Sequence, residues 1–270
     1  MSNKRLIGAN RIYNYLAYLK QYYPMFVMMV KKDFKGRFKH TALGYAWHVI
    51  NPLWQIFFYY LIFTVIFGRD IENYWVYLST GMFAYSFCAT NITASCNLII
   101  SNNALVTKMF FPRELIIFSR IVTNLLVLTI SYSILILLMV VTGVGITVNV
   151  ALLPIVILLL AIFTAGVALI LSSSTVYVRD ISNVVVIIMG CMMFAVPVIY
   201  LASQRSSPMM EAVWSVNPLY YYIESAHHIM YWGDIPSFSF FVACIAFAIS
   251  TFMLGLMVFK KLEKKFAERL

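Results

Sequence analysis

Six long apolar stretches, separated by short polar segments, dominate the pattern of this sequence. They run over residues 47–67, 74–100, 116–141, 150–178, 184–201 and 238–259. Each has at least about 18 residues, enough for a helix to cross the roughly 30 Å hydrocarbon core of a bilayer. Spans must satisfy their backbone hydrogen bonds internally, and the alternation typical of barrel strands is absent. The pattern predicts an all-α integral membrane protein with six spans.

The composition agrees with lipid as the solvent of this chain. Hydrophobic residues make up 62% and charged residues 11% of the 270 positions, whereas soluble domains carry roughly 25% charged residues. So few charges cannot cover a globular surface with polar groups. We therefore expect one transmembrane domain at 46–259, between a cytoplasmic segment at 1–45 and a basic cytoplasmic tail at 260–270.

The basic residues predict the orientation. Of the 20 Lys and Arg, nine lie in residues 1–45, three between 101 and 120, one is Arg179 and five lie in the tail. Only Arg69 and Arg205 fall on the opposite side. Cytoplasmic loops carry the excess of Lys and Arg, so both ends are expected in the cytoplasm. The net charge of +10 then reflects topology and attraction to anionic lipid, and no nucleic-acid partner is expected.

Two absences from the sequence bear on the energy source. The interiors of the six stretches contain no Asp, Glu, Lys or Arg, although proton-driven transporters usually keep such groups at mid-membrane. The phosphate-binding motif G-x-x-x-x-G-K-[ST] is also absent, so ATP would have to act through another chain. We expect no catalytic residue, metal or bound cofactor here. The four cysteines form no CxxC pair and are interpreted as small buried hydrophobes.

A basic amphipathic helix is predicted ahead of the first span, over residues 22–40. Pro24 suits its first turn, and apolar residues recur every four positions from Phe26 to Phe38 beside a lysine-rich arc. A helix of this kind lies in the headgroup plane. An ordinary cytosolic helix packed on the spans is the alternative.

The cytoplasmic loop at 101–115 combines aromatic and charged residues. They are Lys108, Phe110, Phe111, Arg113 and Glu114, with Pro112 among them. Both phenylalanines are expected to be exposed. Aromatic anchors beside charges suit docking into the groove of a partner. A membrane-surface turn whose rings dip into lipid is equally compatible.

The outward segment from Ala202 to Ser237 is too polar to span but rich in aromatic residues. Re-entrant half-helices are the favoured interpretation, because irregular backbone is tolerated at membrane depth where it rests on protein or lines a cavity. An interfacial aromatic belt is the alternative. A separate stripe of small residues between Ala161 and Ser172 predicts a close helix contact.

Four sequence patches together resemble a known family. They are K-x-R-F-K-x-x-x-L-G-x-x-W from Lys35 to Trp47 followed by Asn51-Pro52-Leu53, L-V-x-K-x-x-F-P-R-E from Leu105 to Glu114, Tyr177-x-Arg179-Asp180, and Asn217-Pro218. Their order and spacing are similar to those of the permease subunits of ABC exporters for teichoic acid, O-antigen and capsular polysaccharide. The likeness covers roughly residues 25–262 and leaves the first 20 or so unexplained.

The resemblance implies a permease in the bacterial cytoplasmic membrane. It would move a polymer on an undecaprenyl diphosphate carrier through a channel between two copies of this chain. Two copies of a separate nucleotide-binding subunit would hold ATP and Mg. The loop at 101–115 would dock into that ATPase, and re-entrant gate helices in 202–235 would close the outer exit.

The resemblance also implies four groups of site residues. The coupling loop would use Leu105, Lys108, Phe110, Phe111, Pro112, Arg113 and Glu114. The second cytoplasmic loop would use Tyr177, Arg179 and Asp180. The interfacial helix and substrate entrance would use Phe34, Lys35, Arg37, Phe38, Lys39, Leu43, Gly44 and Trp47. Their basic members could attract the carrier diphosphate or, equally, lipid headgroups. The outer gate would use Trp214, Asn217, Pro218, Tyr220, Tyr221 and Tyr222.

Other functions stay open at this level. An ABC exporter of a drug or small lipid shares the six-span plan, although the F-P-R-E loop and the aromatic content favour polysaccharide, since aromatic faces can stack on sugar rings. A membrane glycosyl- or acyltransferase needs clustered carboxylates or a His–Asp pair. His227 and His228 lie near Glu224 and Asp234, but without a recognisable motif. A passive channel or scaffold is the last alternative.

Overall fold

The computed structural model describes residues 21–36, 41–62, 71–202 and 207–269, and within these ranges all regular structure is helical. The α-helices in chain order are α1 (Tyr23–Gly36), α2 (Trp47–Tyr60), α3 (Tyr74–Ser101), α4 (Asn103–Lys108), α5 (Glu114–Thr142), α6 (Leu153–Thr175), α7 (Ile181–Ala195), α8 (Pro208–Val216), α9 (Pro218–His227), α10 (Phe238–Leu262) and α11 (Phe266–Arg269). The expected all-α class is confirmed for these residues.

Four helices are long and apolar enough to cross a bilayer. They are α3, α5, α6 together with the turn that begins at Val148, and α10 together with the turn that ends at Lys265. Helix α7 is apolar but has 15 residues, about 22 Å of helix. Helix α2 has 14 residues, and the end of the span predicted there, residues 63–67, lies outside the described residues. The chain is thus a multi-pass membrane protein, while the count of six spans stays a prediction.

Helix α6 packs against α3, α5 and α10. Its small-residue stripe between Ala161 and Ser172 is buried. The α6 and α10 backbones approach each other most closely at Gly166, next to Ala165 of that stripe. A Cβ added to Gly255 of α10 would lie 2.4 Å from the carbonyl oxygen of Gly166. The stripe therefore lies in a closely packed part of the bundle, and glycine is required where the two backbones meet.

Buried polar contacts join α3 to the helices beside it. The Asn124 side-chain amide of α5 donates to the Asn91 oxygen at 2.6 Å, and the Tyr132 hydroxyl donates to the Thr80 carbonyl at 2.8 Å. Such pairs are needed because a bilayer supplies no water to satisfy polar groups. Three of the four cysteines are buried as expected, but Cys191 of α7 is exposed.

Candidate functional site

The predicted coupling loop starts as a short helix and then extends. Helix α4 ends at Lys108, and Met109 takes an extended conformation. Pro112 then precedes α5, which begins at Glu114. Proline suits such a position because the first helical N–H groups need no intrahelical acceptor. Leu105 lies within α4, where it is partly buried against the core. The loop thus presents a short helix followed by a bend.

The two phenylalanines of this loop have opposite environments. Phe110 is 99% exposed, whereas Phe111 is only 7% exposed and packs into the main hydrophobic core. The expectation that both rings are exposed is therefore wrong for Phe111. Successive side chains of an extended segment point to opposite sides, so one ring enters the core and the next points away from it. The Phe110 carbonyl accepts a hydrogen bond from the Tyr22 hydroxyl at 3.2 Å.

Arg113 and Glu114 face the tail of the chain. Glu114 is fully buried, and its Oε1 lies 2.9 Å from Nζ of Lys260, which also pairs with Glu263 at 3.1 Å. Arg113 donates through Nη1 to the carbonyl oxygen of Glu263 at 2.6 Å. Its guanidinium carbon lies 5.8 Å from the centre of the Phe266 ring. These two charges hold the loop against the tail, which sequence reasoning did not anticipate.

The predicted second cytoplasmic loop, at residues 177–180, reaches the same tail. The Tyr177 hydroxyl donates to the carbonyl oxygen of Leu262 at 2.9 Å, and the guanidinium of Arg269 lies 5.7 Å from the centre of the Tyr177 ring. Arg179 and Asp180 are exposed. The structure therefore brings Tyr177 together with the tail and leaves the other two predicted residues at the surface.

A groove of about 280 Å³ opens beside the exposed Phe110 ring. Its lining residues are Met109, Phe110, Phe111, Pro112, Arg113, Lys260, Glu263 and Lys264. An apolar floor with charges at the rim is the usual anatomy of a protein docking surface.

Helix α1 lies along α5 with its lysines outward. It contacts α5 and contains no fully buried residue. Phe34 stacks on His48 of α2, with ring centres 4.3 Å apart, while Lys35 is exposed. The predicted amphipathic helix therefore exists over Tyr23–Gly36. Its placement in the headgroup plane stays a prediction.

The remaining entrance residues are only partly covered by the structure. Arg37, Phe38 and Lys39 lie outside the described residues. Leu43 is exposed, and Gly44 has a φ of +47°, a conformation that glycine adopts without steric cost. Trp47 follows as the first residue of α2. The glycine thus forms the bend that leads into α2.

The segment predicted to face outward contains two short helices that start in the same way. The Ser207 side chain accepts from the Met210 N–H at 3.3 Å and caps α8, whose first residue is Pro208. The Asn217 side chain accepts from the Leu219 N–H at 3.1 Å and caps α9. A polar cap followed by proline is a strong helix start, which explains the Asn217-Pro218 patch.

Helix α9 is inserted among α3, α6 and α10, and seven of its ten residues are buried. His227 at its end has Nδ1 3.2 Å from the Glu224 carboxylate and Nε2 3.1 Å from the Tyr77 carbonyl oxygen. Its ring also stacks on that of Tyr77, with centres 3.8 Å apart. Glu224 and His227 therefore form a buried packing contact with α3.

The predicted gate aromatics separate into two sets. Trp214 stacks on Tyr220 with ring centres 5.4 Å apart, and Tyr220 and Tyr221 both lie against Phe240 of α10. Tyr222 instead points into the core, where its hydroxyl donates to the Cys244 carbonyl at 2.7 Å. The first three residues form one aromatic cluster that ties α8 and α9 to α10.

Sequence reasoning missed two tyrosines at the start of α3. The Tyr77 hydroxyl lies 2.9 Å from the Pro197 carbonyl oxygen and 2.8 Å from that of Tyr200, and the Tyr74 hydroxyl donates to the Ile199 carbonyl. Both residues therefore hold the non-helical segment that leads from α7 toward α8. Their spacing of three residues, which places them on one helix face, was the available signal.

Sequence reasoning also missed a polar crevice of about 210 Å³ between α2, α3 and α5. Its uncharged polar lining consists of Asn51, Gln55, Ser86, Thr90, Asn124 and Ser131. Asn51, Gln55 and Thr90 are exposed in this single chain. An amide that faces hydrocarbon without a hydrogen-bond partner is costly, so the predicted placement of α2 as a span would require water, a polar ligand or further protein beside this face.

Comparison with known proteins identifies the family of this chain. Residues 25–231 match the ABC-2 type transporter family. An "O-antigen export system permease protein RfbA" of Myxococcus xanthus is 26% identical over 251 residues, covering 93% of this chain and 96% of that protein. Two proteins of the same name from Klebsiella pneumoniae are 30% identical over 253 and 248 residues, each covering 91% of this chain and 95% of the relative. Because the family match covers most of its length, this chain belongs to the ABC-2 type transporter family.

Proposed function

We propose that this chain is the membrane permease subunit of an ATP-driven exporter that moves lipid-linked polysaccharide across the bacterial cytoplasmic membrane. The observation that carries the proposal is 30% identity, over 91% of the chain, to an O-antigen export system permease. O-antigen is thus the favoured cargo. Teichoic acid and capsular polysaccharide are the alternative cargoes, since they would require the same kind of transporter for a polymer on an undecaprenyl diphosphate carrier. Membership of a transporter family speaks against a glycosyl- or acyltransferase.

The topology we propose has six spans with both ends in the cytoplasm. The split of Lys and Arg supports this orientation, and α2 and α7 would be the two spans beyond the four long helices. Helix α7 is short for a crossing, and the non-helical segment after Ala195 would complete it where that segment rests on α3. Helices α8 and α9 would then be the re-entrant outer gate.

ATP hydrolysis belongs, in this proposal, to two copies of a separate nucleotide-binding subunit. The absence of a phosphate-binding motif in the sequence supports this assignment. The docking element would be the coupling loop, with Phe110 as its anchor, because this ring projects fully beside a groove of protein-docking character. Arg113 and Glu114 would act indirectly, by holding the loop in place.

The channel for the polymer would form between two copies of this chain, and the polar crevice would be part of the channel wall. Exposed amides at Asn51 and Gln55 alternate on α2 with the exposed rings of Trp54 and Phe57. Sugar units present both hydroxyl groups and C–H faces, which amides and aromatic rings can match. Lipid alone would leave these amides unsatisfied, which supports an aqueous path on this side of α2.

The test uses this chain purified in lipid with its ATPase subunit, comparing the wild-type protein with Phe110→Ala. We expect a stable wild-type complex whose ATPase activity rises with lipid-linked polymer. Removing an anchor ring at an interface costs at least about 2 kcal/mol, so Phe110→Ala should bind the ATPase roughly 30-fold more weakly. Phe111→Ala is unsuitable, because it would open a cavity in the core.

Phe238→Ala is the matched control, since this ring is also highly exposed but lies at the other end of the bundle from the loop. It should bind the ATPase like wild type. Equal binding by wild type and Phe110→Ala would refute the role of the loop. If no ATPase binds the wild-type chain, the exporter proposal itself fails. In a drug or small-lipid exporter, ATPase binding would depend on Phe110 in the same way, but the ATPase activity would not rise with lipid-linked polymer.

A further inference from the structure

The tail folds back under the bundle instead of extending from α10. A turn at Glu263–Lys265 leads into α11, and Phe266 is fully buried with its ring 5.7 Å from that of Phe259. Helix α11 also contacts α4 of the coupling loop. Residues 260–269 therefore occupy a defined position among the cytoplasmic loops.

Three separate contacts join the tail to the coupling loop. The buried Glu114 carboxylate pairs with Lys260 at 2.9 Å, and the Arg113 guanidinium both donates to the Glu263 carbonyl and covers the Phe266 ring. Hydrogen bonds between charged groups are stronger and more directional than neutral ones. The loop is thereby held in one orientation relative to the end of α10.

The tail is joined to the second cytoplasmic loop as well. Tyr177 donates to the Leu262 carbonyl at one end of the tail, and Arg269 covers the Tyr177 ring from the other end. Tyr177 follows directly after α6, which packs closely on α10. The tail is therefore a bridge between two loops that are far apart in the sequence.

We propose that the tail is itself part of the docking surface for the ATPase subunit, and that it locks both cytoplasmic loops to α10 as one unit. This inference rests on the proposed function. Lys260, Glu263 and Lys264 line the groove beside Phe110, so a partner that receives the ring also meets the tail. The expected partner surface has an apolar pocket with acidic residues at its rim.

The charge of the tail supports an acidic protein partner. Lys261, Lys264 and Lys265 are exposed, and Lys264 lies in the groove itself. Complementary charges at the rim of an interface raise its rate of association and its salt dependence. Anionic lipid could attract the same lysines, but a flat membrane surface would not fill a groove of about 280 Å³ next to a fully exposed ring.

The first experiment measures binding of the purified ATPase subunit to the full chain in neutral lipid. Lys264→Glu should weaken binding roughly tenfold and reduce its salt dependence, as expected for a rim charge. Lys32→Glu, an exposed lysine of α1, should bind like wild type. Unchanged binding by Lys264→Glu would overturn the proposal. Binding to vesicles that contain anionic lipid is measured in parallel. If Lys264→Glu binds the ATPase like wild type and loses only its affinity for these vesicles, the tail is a membrane anchor and the proposal is overturned.

The second experiment tests the bridge through polymer exported per ATP hydrolysed. Tyr177→Phe removes the hydroxyl that donates to the carbonyl oxygen of Leu262. This variant should export severalfold less polymer per ATP hydrolysed, with unchanged ATPase binding. A purely structural role would lower the amount of folded complex and leave the ratio unchanged, which would refute the bridge. If wild-type chain binds no ATPase, the proposed function fails. If it binds and both variants behave like wild type, only the role of the tail fails.

Discussion

The close approach of α6 and α10 leads to a sharp prediction for Gly166→Ala. A Cβ at this position would lie 2.5 Å from the carbonyl carbon and oxygen of Thr251 and 2.6 Å from the nitrogen of Phe252. Ordinary van der Waals contacts of a Cβ lie at 3.4–4 Å. Since the opposing atoms belong to the backbone, no side-chain rotation relieves the clash, and the helices must separate by about 1 Å.

Such a separation disturbs the packing along both helices. Overpacking of a well-packed interior typically costs about 1–3 kcal/mol, and a clash with backbone belongs at the upper end of that range. For a chain of this size, 1 kcal/mol corresponds to roughly 2–4 °C. We therefore expect Gly166→Ala to lower the unfolding temperature by about 5–10 °C.

The assay is thermal unfolding of the purified chain in one detergent or lipid, with the exposed Cys191 replaced by serine, followed by a thiol-reactive dye that reports exposure of the three buried cysteines. Gly190→Ala is the matched control, because a Cβ there meets nothing within 4 Å. Gly255→Ala should behave like Gly166→Ala, and the double variant should cost less than the sum, since separated helices accommodate both methyl groups. Equal unfolding temperatures for Gly166→Ala and Gly190→Ala would refute the packing described here.

Two further predictions concern the outer helices and the crevice. Gly81→Ala would place a Cβ 2.7 Å from Nε2 of His227, so it should loosen α9 and increase protease cleavage in the outer segment; unchanged cleavage would contradict this. With the exposed Cys191 replaced by serine, Thr90→Cys in the crevice should react with a charged thiol reagent at least about tenfold faster than Ser133→Cys on the exposed face of α5, because charged reagents do not partition into hydrocarbon. Equal rates at the two positions would show that the crevice is not wet.

The fold class followed from the sequence because hydropathy belongs to each residue and sums along the chain. The stretches 74–100, 116–141 and 238–259 predicted three long helices to within a few residues of α3, α5 and α10. The Asn217-Pro218 pair marked the start of α9, since capping is a local effect. The four patches also identified the family, because they preserve order and spacing over most of the chain.

One of the predicted elements depended on more than local hydropathy. The stretch at 184–201 was expected to be one helix, but α7 ends at Ala195 and residues 196–200 form turns and bends. The Tyr77 hydroxyl of α3 lies within hydrogen-bonding distance of two carbonyl groups of that segment. A distant helix thus supplies the hydrogen bonds that a continuous helix would have made internally, which no window of sequence reveals.

The sequence by itself identified this chain as a multi-pass membrane protein and determined its helical class and its family. Only the tertiary structure decided which side chains of the 101–115 loop are exposed and which are buried. Phe110 and Phe111 are alike in type and adjacent, yet one is exposed and the other is buried. Arg113 and Glu114 meet residues 150 and 146 positions away. Local propensities carry no information about such contacts, because they exist only after α5 and α10 have both packed against α6.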